Sequence, residues 1–213
     1  MAKYKRNQVE EAISRSVDSG SAKPSSELRT RLKRLLDTDR SLGRAARSAD
    51  PKLANYAFYS GDSPGRGVEV RFSDYEAFAL LTGLRLLEHG WPQGFAVRLL
   101  RHVRPELEAQ HARILKQDPG SLFDKDAIRQ NARPGDIAVD NTDPVFLTIT
   151  SREERDKSER TVSGAVCRGT EQVFKFVKQQ AARSWSLFEL VMPAHALRRA
   201  LSKAKPRKRG RSG

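Results

Sequence analysis

The sequence predicts an α+β chain, with a mostly helical first half and a small β-β-α-β-α second half. Three observations carry this expectation. Apolar residues recur at helical spacing through much of residues 7–115. Beyond residue 140 the pattern changes, and Val145, Leu147 and Ile149 alternate with their neighbours as in a strand. Between these regimes lies Pro119–Pro134, which places the boundary there. The expected division is 1–118, 121–202 and a disordered basic tail, 203–213. A chain of 213 residues is long enough for one large domain or two small ones.

The first helix is expected over residues 7–17, where Val9, Ala12, Ile13 and Val17 recur at helical spacing. Asp18–Pro24 breaks it. A second helix runs from Ser26 to Arg40, capped by Ser25 or Ser26, with Leu28, Leu32, Leu35 and Leu36 in one stripe. At about 100° per residue, the opposite face carries Thr30, Lys33 and Arg34, flanked by Arg29 and Arg31. A hairpin follows. Tyr56 and Phe58 alternate on one strand, residues 60–67 turn, and Val68, Val70 and Phe72 return. Ser73-Asp-Tyr-Glu76 then reads as a capping box, and Gly90 closes the helix that it opens. A short helix is expected over 93–103, and Pro105 opens another that Asp118-Pro-Gly120 ends.

In the second half, a strand through Val145–Ile149 precedes a charged loop and a second strand near 162–168. Thr170 is placed to cap a helix through Gln180, residues 184–191 read as a third strand, and Pro193 begins a last helix. Phe174 and Phe176 cannot share one helix face. Either that segment is a strand, or one ring is exposed beside Lys175 and Lys178, where it could stack on a base or cover a dimer interface.

Charge narrows the function. Forty Lys and Arg oppose 26 Asp and Glu, a formal +14. Residues 1–50 hold +5 and the last eleven hold +6, so the excess sits at the two ends. This pattern implies a polyanionic partner. A winged helix-turn-helix would use such a layout: one helix enters the major groove while a hairpin holds phosphates. The single Cys167 excludes an internal disulfide and a multi-cysteine zinc site. His89, His102, His111 and His195 include no i,i+4 pair, and the glycines at 61, 65 and 67 match no phosphate-cradling loop. Asp124, Asp126, Asp136, Asp140 and Asp143 lack the EF-hand register. No catalytic residue, metal ligand or cofactor site is therefore expected, and the chain is read as a non-enzyme. Nowhere do about 18 apolar residues run together, and no apolar segment follows the N-terminal residues. A cytoplasmic, nucleoid-associated protein is expected.

Two segments carry a resemblance. Arg71-Phe-Ser-Asp-Tyr-Glu-Ala-Phe, Leu84-Arg-Leu-Leu-Glu-His-Gly-Trp-Pro and Phe95-Ala-Val-Arg-Leu-Leu-Arg together resemble the wing-to-helix segment of MerR-type regulators, over residues 67–104. The resemblance implies a DNA-binding domain with Arg66 and Arg71 on the wing. The chain departs from that family in the Asp18–Pro24 break, in lacking an Arg-Tyr-Tyr signature, and in stopping the helix after Pro105 at Asp118-Pro-Gly120. In the tail, Arg209-Gly-Arg211 resembles an AT-hook, with Ser212 where that family has proline. The expected partner is double-stranded DNA. Its contacts are Arg29, Thr30, Arg31, Lys33, Arg34, Arg66 and Arg71, with Lys205, Arg207, Lys208, Arg209 and Arg211 in the tail. A homodimer is compatible with this reading. An RNA-binding or ribosome-associated protein and a protein-interaction adaptor are the alternatives.

Overall fold

A computed structural model describes residues 3–17, 23–61, 70–132, 137–153 and 160–206. The chain is α+β. It divides into two compact units, Met1–Pro105 with Ala196–Gly213, and Glu106–His195. The expected boundary at 119–134 lies inside the second unit, and the C-terminal residues return to the first.

The first unit opens with β1 (Tyr4–Lys5), α1 (Arg6–Val17), α2 (Ser26–Ser41) and the short α3 (Pro51–Ala54). It continues with β2 (Arg71–Phe72), α4 (Asp74–Glu88) and α5 (Gln93–Ile114), which runs on past Pro105 and whose residues from Glu106 belong to the second unit. The central helix is α4. Residues 75–84 are buried without a break, as expected of a helix with neighbours on every side. Its capping box forms as its spacing requires: Glu76 N donates to Ser73 Oγ at 3.2 Å, and Ser73 N donates to Glu76 Oε2 at 2.7 Å. Gly90 follows at φ +83°, a left-handed stop. A Cβ on Gly83 would stand 3.2 Å from Leu35, 3.3 Å from Leu100 and 3.4 Å from Phe58, so α4 is approached closely from three directions.

Two expectations fail here. Tyr56–Tyr59 is not a strand, and Arg71–Phe72 pairs with Tyr4–Lys5 instead, in the register Tyr4↔Phe72 and Lys5↔Arg71. The reason is a buried polar cluster. The Asp39 carboxylate accepts from Ala57 N at 3.1 Å and Phe58 N at 3.0 Å, while Arg104 donates to the carbonyls of Tyr56 and Tyr59. Backbone groups that a ladder would have satisfied are satisfied by side chains. The second failure is the helix break at Pro105. Proline has no N–H for the Arg101 carbonyl, yet α5 continues to Ile114. The buried side chains of Arg101 and Arg104 anchor the turn just before it.

Arg101 is 2% exposed and its partner Asp39 is fully buried. Arg101 Nε donates to Asp39 Oδ1 at 2.7 Å, and the same guanidinium reaches the carbonyls of Gly43 at 2.7 Å and Lys52 at 3.5 Å. Arg101 lies 5.2 Å over the Tyr56 ring and Arg104 5.1 Å over Tyr75. These two side chains tie the end of α2 and the whole segment to Ser60 onto α5.

The second unit holds α6 (Pro119–Leu122), α7 (Lys125–Asn131), β3 (Val145–Glu153), β4 (Arg160–Arg168), α8 (Gly169–Gln179) and β5 (Ser184–Glu189). Then α9 (Val191–Lys203) begins, and its residues from Ala196 belong to the first unit. The sheet has the order β4-β3-β5, antiparallel throughout. β4 and β5 are therefore parallel to each other across β3, and α8 is the crossover between them. Phe146, Cys167, Val173 and Val177 form the core under α8, with Phe176 and Leu187 against it. No side chain caps α8. Thr170 lies within its first turn, and Arg168 stands at the cap position. Asp118 and Asp124 cap α6 and α7, which accounts for Asp124 among the acids of that loop region.

Candidate nucleic-acid interface

The site is built on α2. Ser25 Oγ accepts from Leu28 N at 3.1 Å and Glu27 sits in the first turn, where the helix dipole favours an anion. Leu28, Leu32, Leu35 and Leu36 are all buried, as their stripe requires, and Asp39 continues that face into the polar cluster. This inner face fixes the roll of the helix. Arg29, Thr30, Lys33 and Arg34 are consequently exposed, and Arg31 is half-buried.

The five α2 residues are not equivalent. Arg31 pairs with Glu27 at 2.5 Å, and Arg29 approaches Glu10 at 3.7 Å. Thr30 Oγ1 donates back to the Ser26 carbonyl at 2.8 Å. Asp37 pairs with Arg40 at 3.8 Å rather than with Lys33. Among the described residues Lys33 and Arg34 have no hydrogen bond or ion pair from their side chains, so their charge is uncompensated. Gln93, the first residue of α5, donates to the Arg34 carbonyl at 3.2 Å and to the Thr38 hydroxyl, which holds this end of α2 in place.

Two further cations face each other at the β1–β2 pair, where Lys5 stands opposite Arg71, which is exposed. Lys205 is exposed, with its carbonyl 3.4 Å from Asn7 Nδ2, and the neighbouring Ala204 carbonyl accepts from Gln8 at 2.9 Å. The start of the basic run is thus held at α1. Arg66, Arg207, Lys208, Arg209 and Arg211 lie outside the described residues.

Sequence reasoning missed the segment after α2. Ala45 N donates to the Leu53 carbonyl at 2.8 Å, closing a loop whose exposed side chains include Arg44, Arg47 and Lys52. Arg44 lies 5.6 Å over Tyr56. The signal was present in Asp50-Pro51, a cap followed by proline at the first helical position.

The units differ sharply in charge. The first holds 27 Lys and Arg against 12 Asp and Glu, a formal +15; the second holds 13 against 14, a formal −1. Among the described residues no group of three or more His, Cys, Asp and Glu is placed to hold a metal ion. Nor is any described helix long and apolar enough to cross a membrane. No family model, curated protein or solved structure matches this chain.

Proposed function

We infer that this chain is a sequence-preferring DNA-binding protein of the kind that regulates transcription, associated with the nucleoid, and that its first unit carries the binding. One observation carries the reading: the whole positive excess belongs to that unit, and Lys33 and Arg34 stand uncompensated on a helix face whose roll is fixed. A cationic surface of this kind draws a polyanion at low salt and positions it by phosphate contacts. Arg34 can fork onto guanine O6 and N7 in the major groove, while Lys33 reaches guanine or phosphate. Arg31 is the weaker candidate, since binding would have to displace Glu27. The MerR-like pattern over 67–104 supports the same class of function. Arg71 and Lys5 take the phosphate-holding role that a wing would have, and the basic tail adds unspecific contacts.

The test is a binding selection on randomised duplexes with the parent, Arg34→Ala and Arg31→Ala. Arg34→Ala relaxes preference at a defined base pair by about 1–3 kcal/mol, and Arg31→Ala does so less. A parental sequence preference in both variants would remove α2 from the interface. Tight binding to structured RNA with none to duplex DNA would favour the RNA-binding alternative.

A further inference from the structure

The second unit presents a different surface. In α8, Phe174 and Phe176 stand about 200° apart around the helix axis. Phe176 packs against the core with Val173 and Val177, and Phe174 is 49% exposed. Trp185, near the start of edge strand β5, is 46% exposed. Strand alternation places Trp185 on the same sheet face as Leu187 and Phe146, the face that α8 covers. Two large rings are therefore offered to solvent from α8 and from the strand edge on that side of the sheet. Neither ring stacks on another among the described residues.

Three cations belong to the same two elements and the turn between them. Lys175, Lys178 and Arg183 are exposed and have no ion pair among the described residues. The exposed acid of α8 is Glu171, in the first turn, while Glu189 at the far end of β5 accepts from Asn141 at 3.1 Å and Val191 N at 2.6 Å. A second copy of this chain brought ring to ring would set these cations against themselves. An acidic peptide would answer the charges, but would cover the rings only where it also carried apolar side chains at matching positions. Unpaired nucleotides answer both, because every base has a π-face to stack and every linkage a negative charge. Duplex bases are already stacked on one another and have no face to spare.

We propose that α8 and the start of β5 form a stacking surface for single-stranded nucleic acid, with Phe174 and Trp185 receiving bases and Lys175, Lys178 and Arg183 receiving phosphates. This site lies in the second unit and stands independently of duplex binding by the first.

The test uses the full chain with short oligothymidylate, oligouridylate and duplex DNA as probes. In a Trp91→Phe background Trp185 is the sole indole, and either single strand quenches its emission. Phe174→Ala and Trp185→Ala each weaken single-strand binding roughly 5- to 100-fold, while duplex affinity is unchanged. Trp185→Phe keeps most of the affinity and Trp185→Leu does not, which separates stacking from simple apolar contact. Lys178→Glu, which leaves both rings in place, lowers the log–log salt slope by about 0.7. Unchanged single-strand affinity in both alanine variants would overturn the proposal. So would a parent dimer in sedimentation equilibrium that Phe174→Ala dissociates, since the rings would then cover a second copy.

Discussion

Removing the Asp39 carboxylate should be among the most damaging single changes in the first unit. Asp39→Ala leaves the guanidinium of Arg101, 2% exposed, without its counter-charge. It also orphans the amides of Ala57 and Phe58, which donate to Asp39 at 3.1 and 3.0 Å. Breaking a buried pair from one side costs about 3–5 kcal/mol, and each stranded buried donor adds about 1–3 kcal/mol unless water reaches it. Even the lower end of that sum, about 5 kcal/mol, is comparable to the whole stability of a marginal domain. Arg101→Met should cost less, because the methylene stem is kept and no charge is stranded. The double variant should then be less destabilised than the sum of the singles, by about 1–3 kcal/mol of coupling. Urea unfolding followed by circular dichroism reads all three midpoints at constant slope. A loss below about 1 kcal/mol for Asp39→Ala, or strict additivity in the double variant, would refute the clamp.

Other expectations are simpler. Ser73→Ala should cost about 1 kcal/mol through loss of one half of the capping box, and Gly90→Val more, since φ +83° strains a β-branched residue; thermal melts check both. Burial pushes the Tyr59 hydroxyl up to about 12, outweighing the neighbouring Arg40, which lowers it. The unfolded chain releases this proton near pH 10 and the folded chain near 12, so stability is full below 10 and falls between 10 and 12. Tyr59→Phe should flatten that part of the pH–stability curve, and an unchanged curve would count against the burial argument. Gly83→Ala should destabilise rather than help the helix, because Leu35 and Leu100, 3.2 and 3.3 Å from the added Cβ, must both give way; a raised melting temperature would contradict this.

Local rules served the first unit where a helix could be read from its own residues. The α2 stripe, the Ser73–Glu76 box and the Gly90 stop depend on neighbours within a few positions, and all three stand in the structure. The hairpin failed because Tyr56 and Phe58 alternate for another reason. Phe58 and Tyr56 are held through their backbone by Asp39 and Arg104, 19 and 48 residues away along the chain, and no local pattern announces such partners. The β1–β2 pairing is equally remote. Charge was legible only as two basic ends. That residues from Ala196 onward join residues 1–105 in one unit, raising it to +15, is a property of the fold. Likewise Arg31 and Arg34 look alike in the sequence, and only the Glu27 pairing separates them. In α8 the sequence left strand or exposed ring open; a helix with Phe174 outward resolves it.

The central claim is that the first unit binds duplex DNA through the outer face of α2. The most direct measurement is duplex affinity against salt for the parent and for Lys33→Ala/Arg34→Ala, with folding verified by circular dichroism. Each phosphate contact contributes about 0.9 to the log–log slope. The double variant should therefore bind more weakly, with a slope shallower by up to about 2. Parallel lines for the two proteins, or no duplex binding by the parent at low salt, would contradict the account.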